Sequence, residues 1–302
     1  MIPEFLIEQL TKQYGKDLTK QILEGYKGKR KTTLRINTTK TDKKTITNIL
    51  DKEKIKYENV SWYEDALILE EEKHIRELDI YKNGQIYMQS LSSMIPPIVL
   101  EPKKEKILDM AAAPGGKTTE IYNLSNKEAL ITAVEKNPIR ADRLKYNINK
   151  QGTSATILIT DASKLDEFFR FDKILLDAPC SGSGTLSTLD NTLNHFNKNL
   201  IKNSIETQQK LLSKALQILK TNSIMVYSTC SILYEENESQ IEKLIKQNKI
   251  EIIPIDEDLF KDIPKLPTKI KGTMCVQPTD LYEGFYVARI KKCRRNLWKY
   301  II

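Results

Sequence analysis

The chain has 302 residues, 40% of them apolar, enough for a full α/β domain with a smaller one beside it. Lysine and arginine outnumber acids for a net charge of +8, which favours polyanionic partners, although a chain that simply uses Lys, Ile and Asn freely reaches the same balance. No apolar run approaches a membrane span, nothing resembles a signal peptide, and the four cysteines form no Cys-x-x-Cys pair, which argues against membrane insertion, secretion and zinc. A reducing cytoplasm, no metal and free thiols are expected.

Residues 1 to about 90 read as an appendage of mixed α and β character. Phe5 to Leu23 places Phe5, Ile7, Leu10, Tyr14, Leu18 and Ile22 at helical spacing. Lys27 to Lys44 then holds eight basic residues against one acid, Asp42. Within it Thr33-Leu-Arg-Ile-Asn37 alternates like a strand with Arg35 and Asn37 on one face. This stretch, with Lys29, Arg30, Lys31, Arg35 and Asn37 as its candidates, is expected to grip a nucleic-acid backbone, since Lys and Arg give sequence-independent affinity for phosphate. A helix over Lys44 to Glu53 and a strand over Leu67 to Leu69 follow. Gly84 to Ser93 leads into the main domain, so the division falls into 1–90 and 91–302.

From Glu105 onward strands and helices alternate. Strands are predicted at 106–111, 129–135, 155–160, 172–177 and 223–229, and helices at 117–124, 138–150, 204–220 and 236–247. That alternation indicates a parallel sheet with helices on both faces. A last strand, Gly284 to Ile290, precedes a tail carrying Lys291, Lys292, Arg294, Arg295 and Lys299.

Chemistry concentrates at the carboxyl ends of these strands, where open α/β sheets hold ligands. Ile107-Leu-Asp-Met-Ala-Ala-Ala-Pro-Gly-Gly-Lys117 is a strand, a turn of small residues and a helix start. A cofactor can lie against its bare backbone, and the helix supplies free N–H groups. Neither Gly-x-Gly-x-x-Gly nor Gly-x-x-x-x-Gly-Lys occurs there. Glu135, Asp161 and Asp177 close three consecutive strands. Three carboxylates suit ribose hydroxyls, an adenine amine and an ammonium group, and repel phosphate, so the donor pattern of S-adenosylmethionine fits and that of a dinucleotide does not. Lys173-Ile-Leu-Leu-Asp-Ala-Pro-Cys-Ser-Gly-Ser-Gly184 and Val226-Tyr-Ser-Thr-Cys-Ser231 put Cys180 and Cys230 at the tips of two neighbouring strands. Each cysteine taken singly reads as a small buried apolar residue; as a pair they indicate one site with two sulfurs. Cys275 and Cys293 have no such setting and are assigned to structure.

Asp109-Met-Ala-Ala-Ala-Pro-Gly-Gly-Lys-Thr118, Asp177-Ala-Pro-Cys-Ser-Gly-Ser-Gly184 and Ser228-Thr-Cys-Ser231, in that order, resemble the RsmB/RsmF-type (Sun/Nop2) RNA cytosine-5 methyltransferases. Leu34-Arg-Ile-Asn37, Tyr87 to Ser93, Glu235-Glu-Asn-Glu238 and Glu283-Gly-Phe-Tyr-Val-Ala288 extend the resemblance over nearly the whole chain. It departs at Thr221-Asn-Ser223, where the family usually has glycines, and at Tyr286, where a second Phe is common.

The resemblance implies a class I S-adenosylmethionine-dependent methyltransferase fold, Rossmann-like with a mostly parallel seven-stranded sheet, preceded by a small α+β RNA-binding subdomain. By the same resemblance Ala111, Ala112, Ala113, Pro114, Gly115, Gly116 and Lys117 hold the methionine part of S-adenosylmethionine. Glu135 takes the ribose, Asp161 the adenine side, Arg140 sits close to the cofactor and Asp177 lies between cofactor and base. Cys230 is implied as nucleophile, Cys180 as the thiol that assists enzyme release, and Lys117 as a source of positive charge. The expected activity is methylation of cytosine carbon 5 in RNA, ribosomal RNA ahead of transfer RNA, by a monomer. Two alternatives stay open: a DNA cytosine-5 methyltransferase using Cys180, and an RNA-binding ribosome-assembly factor without catalysis.

Overall fold

The computed structural model describes residues 2–70 and 74–293; the basic tail from Arg294 onward lies outside them. In chain order the elements are α1 (Glu4–Gly25), β1 (Thr32–Ile36), α2 (Lys43–Lys52), β2 (Tyr57–Asn59), β3 (Ala66–Leu69), α3 (Asp79–Lys82), β4 (Ile86–Met88) and α4 (Leu91–Leu100). There follow β5 (Lys106–Asp109), α5 (Gly116–Leu124), β6 (Leu130–Glu135), α6 (Pro138–Gln151), β7 (Ala155–Ile159), β8 (Phe171–Asp177), α7 (Thr192–His195), α8 (Lys198–Ile218) and β9 (Leu219–Thr229). The chain continues through α9 (Glu238–Lys246), β10 (Ile250–Ile252), β11 (Lys265–Leu266), β12 (Met274–Val276) and β13 (Phe285–Lys292).

Two sheets result. The first runs β2-β3-β1-β4, antiparallel throughout, over its own apolar cluster of Leu34, Ile36, Ile46, Leu50, Leu67 and Ile86. The second is ordered β11-β12-β13-β9-β8-β5-β6-β7, with β10 also on β13. Strands β7, β6, β5, β8 and β9 are mutually parallel and β13 is antiparallel to β9. Nine strands pair among the described residues where seven are expected. Beyond β7, β6, β5, β8, β9 and β13 the strands are short: β12 and β10 take successive stretches of β13, and two-residue β11 extends β12.

Local sequence explains the boundaries. Helix α6 begins where the Asn137 side chain accepts from the Arg140 N–H, has Pro138 at its first turn, and stops at Gly152, whose left-handed φ of +68° glycine adopts without strain. Asn197 caps α8 in the same way, so that helix starts at Lys198, a turn and a half before the expected 204. Asn222 takes φ +63° where the family usually has glycine, a conformation asparagine tolerates.

Helix α1 does not stay with the small sheet. Its buried Leu6, Leu10, Tyr14 and Ile22 join the cluster on one face of the large sheet, with Leu176, Leu212 and Tyr227. The Tyr14 hydroxyl donates to the Ile232 carbonyl at 2.5 Å and that of Tyr26 to the Ser183 carbonyl at 2.6 Å. Residues on both sides of position 90 are thus bound into one packing unit.

The junction corrects two expected RNA contacts. Arg35 and Asn37 are both fully buried. Arg35 donates to Gln89 Oε1 at 3.2 Å and Thr119 Oγ1 at 2.8 Å, and lies 3.9 Å from Glu120. Asn37 donates to the carbonyls of Gly84 and Gln151 at 2.7 and 2.8 Å. Their face of β1 points at α5 and α6, so the alternation that put them together marks the seam between the sheets, not a surface. Lys29 and Lys31 are exposed, while Arg30 is half-buried.

Candidate active site

Strands β5, β8 and β9 end side by side, and the site is built on their tips. After β5 the chain turns through Ala111 to Gly115, crosses a cis Ala113–Pro114 bond, and enters α5 at Gly116. Gly115 has φ +109°, which an L side chain rarely adopts, and a Cβ there would come within 3.1 Å of Leu144. Arg140 donates to the Ala113 carbonyl at 2.9 Å and Asn147 to that of Pro114 at 2.8 Å, so α6 holds the turn in place.

Two cavities flank Ala111. One, of about 220 Å³, is lined by Glu135, Arg140, Asp161 and Pro179. Glu135 ends β6, almost fully buried, with Oε1 accepting from the Asn137 N–H at 2.9 Å and Oε2 3.7 Å from Arg140. Asp161 follows β7; burial opposes its charge, but the N–H and hydroxyl of Ser163 outweigh that and hold the carboxyl below its ordinary range. The other cavity, of about 340 Å³, is lined by Asp109, Lys117, Asp177, Cys230, Tyr87 and Phe285 among others.

At its floor Lys117 Nζ lies 2.8 Å from Asp177 Oδ2 and donates to Ser93 Oγ at 2.7 Å. Burial disfavours the ammonium, yet Asp177 and Asp109 outweigh it and raise its pKa, so Lys117 stays charged. Ser228 donates to the other Asp177 oxygen at 2.8 Å. Burial pushes Asp109 up to about 6 against the hydroxyl of Thr118.

Cys180 and Cys230 are both free, and their sulfurs stand 3.0 Å apart. Parallel pairing of β8 with β9 sets Asp177 opposite Ser228 and so brings the two thiols to one point. Only Cys230 lines the larger cavity; Cys180 approaches its sulfur from the side of the Pro179 loop. The close Cys230 sulfur and burial raise Cys180 well above the ordinary thiol range, so it is a protonated thiol at neutral pH.

One buried carboxylate behind the sulfurs carried no assigned role in the sequence reading. Glu236 accepts from the Ser181 N–H at 2.7 Å and from the hydroxyls of Ser181 and Ser231 at 2.5 and 2.6 Å. It thereby ties the residue after Cys180 to the residue after Cys230. The signal was present in Glu235-Glu-Asn-Glu238, but nothing in that string says which acid turns inward. Of the other expected basic contacts, Arg30 lies 4.0 Å from Glu283, which lines the cavity, and Lys31 lies 3.7 Å from Glu58 on the surface. A cavity of about 560 Å³ between α8 and α9 contains none of the expected residues.

Residues 97–291 match the family described as 16S rRNA methyltransferase RsmB/F, and residues 2–76 the ferredoxin-like domain of RsmF/B-like methyltransferases. The chain belongs to the RsmB/F methyltransferase family. A ribosomal RNA small subunit methyltransferase F of Shewanella piezotolerans is 33% identical over 273 residues, covering 86% of this chain and 57% of that protein. A tRNA (cytosine(49)-C(5))-methyltransferase of Pyrococcus abyssi is 32% identical over 274 residues, covering 86% of this chain and 88% of that protein. The crystal structure of a methyltransferase homolog from Pyrococcus horikoshii superposes with a TM-score of 0.82 at 29% identity, over 96% of this chain and 100% of that one. This chain spans a little over half the length of the ribosomal RNA relatives it matches. Family and superposition agree with the strand order: the fold is that of class I methyltransferases. Among the described residues no helix is long and apolar enough to cross a membrane.

Proposed function

We propose that this chain transfers a methyl group from S-adenosylmethionine to carbon 5 of a cytosine in RNA, through a covalent bond from Cys230 to carbon 6. The observation that carries the reading is a thiol pair 3.0 Å apart beside a carboxylate, with Cys230 as the member that opens on the cavity.

The residues fit the cofactor by their chemistry. Glu135 and Asp161 offer carboxylate acceptors to ribose hydroxyls and the adenine side, Ala111 to Gly116 offer bare backbone, and Asp177 faces the second cavity. When bound, S-adenosylmethionine supplies an electrophilic methyl group on its sulfonium.

Carbon 5 of cytosine is too weak a nucleophile to capture that methyl unaided. Addition of the Cys230 thiolate to carbon 6 turns the ring into an enamine and makes carbon 5 nucleophilic. Negative charge builds at ring nitrogen 3 as the sulfur adds. Asp177 accepts from the exocyclic amine of the ring, and the charged Lys117, 2.8 Å behind it, balances the developing charge. Afterwards the proton on carbon 5 leaves to a base in the cavity, and its electron pair expels the Cys230 sulfur. Cys180, kept protonated, stands where it can hand its proton to the departing sulfur. Placement of Cys180 off the cavity wall disfavours the DNA-type alternative, in which it would be the nucleophile.

The RNA is proposed to be ribosomal in preference to transfer RNA, as the family description has it, and the setting one where thiols stay reduced. The chain, radiolabelled S-adenosylmethionine and unmodified transcripts of small-subunit ribosomal RNA and of transfer RNAs test this, with mapping of 5-methylcytosine. Label at one cytosine of the ribosomal transcript is expected. Label only in transfer RNA reverses the substrate order, and no label in either contradicts the activity.

A further inference from the structure

Helix α6 turns one coherent face to solvent. Ile139, Arg143, Tyr146 and Lys150 recur at the three- and four-residue spacing that aligns side chains along a helix, over about 16 Å at 1.5 Å per residue. Ile139 is 69% and Tyr146 64% exposed, while Ala141, Leu144 and Ile148 on the opposite face are buried. The apolar and aromatic members of the stripe therefore take no part in packing the helix, and the stripe contains no acid.

The line continues beyond the C-terminal end of the helix. Lys150 Nζ sits 3.8 Å from the centre of the Tyr81 ring and 5.9 Å from that of Tyr146. The Arg76 guanidinium lies 5.5 Å from the centre of the same Tyr81 ring. Toward the active site, Asn147 of α6 donates to the Tyr87 hydroxyl at 3.4 Å, and Tyr87 lines the cavity on which Cys230 opens. Cations and aromatic rings thus alternate from Arg143 to Arg76 along a line that passes beside the catalytic cavity.

We propose that this line is the track for the RNA strand flanking the target cytosine, with a base stacking on the exposed Tyr146 and phosphates meeting Arg143, Lys150 and Arg76. The proposal rests on the reading of the chain as an RNA methyltransferase. Alternating rings and cations are what single-stranded nucleic acid requires, because every base has a face to stack and every linkage a charge to neutralise. A merely solvated helix face needs neither exposed rings nor continuity with the site. The track also replaces the buried Arg35 and Asn37 as the place where the chain grips its substrate.

The test is filter binding of an unmodified small-subunit ribosomal RNA transcript to the full chain, as a function of salt. The variants are Tyr146→Ala, Lys150→Ala, Arg143→Ala, and, as control on another side of α6, Lys145→Ala. Tyr146→Ala is expected to weaken Kd at least fivefold without changing the salt slope. Lys150→Ala and Arg143→Ala are expected to weaken it and to reduce the slope by roughly 0.7 to 0.9 each. Lys145→Ala is expected to stay within twofold. Equal weakening by Lys145→Ala, or wild-type affinity in the Tyr146 and Lys150 variants, overturns the track. Wild type that binds along this line yet methylates nothing upholds the track and contradicts the activity, whereas wild type that binds no RNA overturns both.

Discussion

Ser181 donates to Glu236 twice, through its N–H at 2.7 Å and its hydroxyl at 2.5 Å, while Ser231 donates to the same carboxylate from the neighbouring strand end at 2.6 Å. Gln208 adds a bond to the Pro179 carbonyl at 3.0 Å and Tyr227 one to the Glu236 carbonyl at 2.7 Å. Glu236 is buried and touches neither sulfur in this arrangement, so it acts through the two loops as a positioning residue. Glu236→Gln replaces one acceptor by a donor facing a donor. Single-turnover methylation is expected to fall roughly tenfold, about 1.4 kcal/mol, with KM for RNA unchanged. A raised KM with unchanged single-turnover rate contradicts the positioning role.

Glu135 lies in the smaller cavity, one oxygen held by the Asn137 N–H and the other turned toward Arg140. If it receives ribose hydroxyls, Glu135→Ala removes hydrogen bonds to a charged group, each worth about 1.5–3 kcal/mol. Titration calorimetry with S-adenosylmethionine is then expected to show Kd weakened at least tenfold, with the folded state intact by circular dichroism. An unchanged Kd removes Glu135 from the cofactor site.

Arg35 anchors the small sheet to α5. It is buried with Glu120 and donates to Gln89 and Thr119, so Arg35→Met leaves buried acceptors unpaired and is expected to cost about 2 kcal/mol in urea unfolding. The RNA Kd of the folded variant is expected to stay within twofold of wild type. A stable variant with tenfold weaker binding returns Arg35 to the RNA surface.

Burial pushes Glu120 up to about 8 from its ordinary 4.5, against the opposing charge of Arg35, and its Oε1 has no hydrogen-bond partner. The folded chain therefore holds a proton there that the unfolded chain releases near pH 4.5. This contribution to stability is complete below that pH and is lost as pH rises through about 8. Glu120→Gln cannot ionise, so its Tm relative to wild type is expected to climb between pH 5 and 8.5. A constant difference over that range contradicts a buried neutral acid.

Much of this arrangement was legible in the residues. The strands ending in Glu135 and Asp177 announce themselves because apolar runs stop at a carboxylate, and α6 and α8 carry their own asparagine caps. Cys180 and Cys230 could be paired from sequence since adjacent parallel strands place equivalent tips together. What sequence could not resolve is direction. Arg35 and Asn37 share a face of β1 whether that face meets water or α5, and only the docking of the small sheet decides. The division at position 90 follows the lead from Gly84 to Ser93 into the main domain, and sequence does not show that α1, far upstream of it, packs on the large sheet. Glu236 was hidden for the same reason, one of three acids in a row of four residues.

The most direct test compares wild type, Cys230→Ala and Cys180→Ala, each with S-adenosylmethionine and unmodified RNA, on denaturing gels and by mapping of 5-methylcytosine. Cys180→Ala is expected to accumulate a protein–RNA adduct, because the thiol that assists release is gone, and Cys230→Ala to give neither adduct nor product. Methylation by Cys230→Ala, or an adduct formed through Cys180, would contradict the assignment of the two sulfurs.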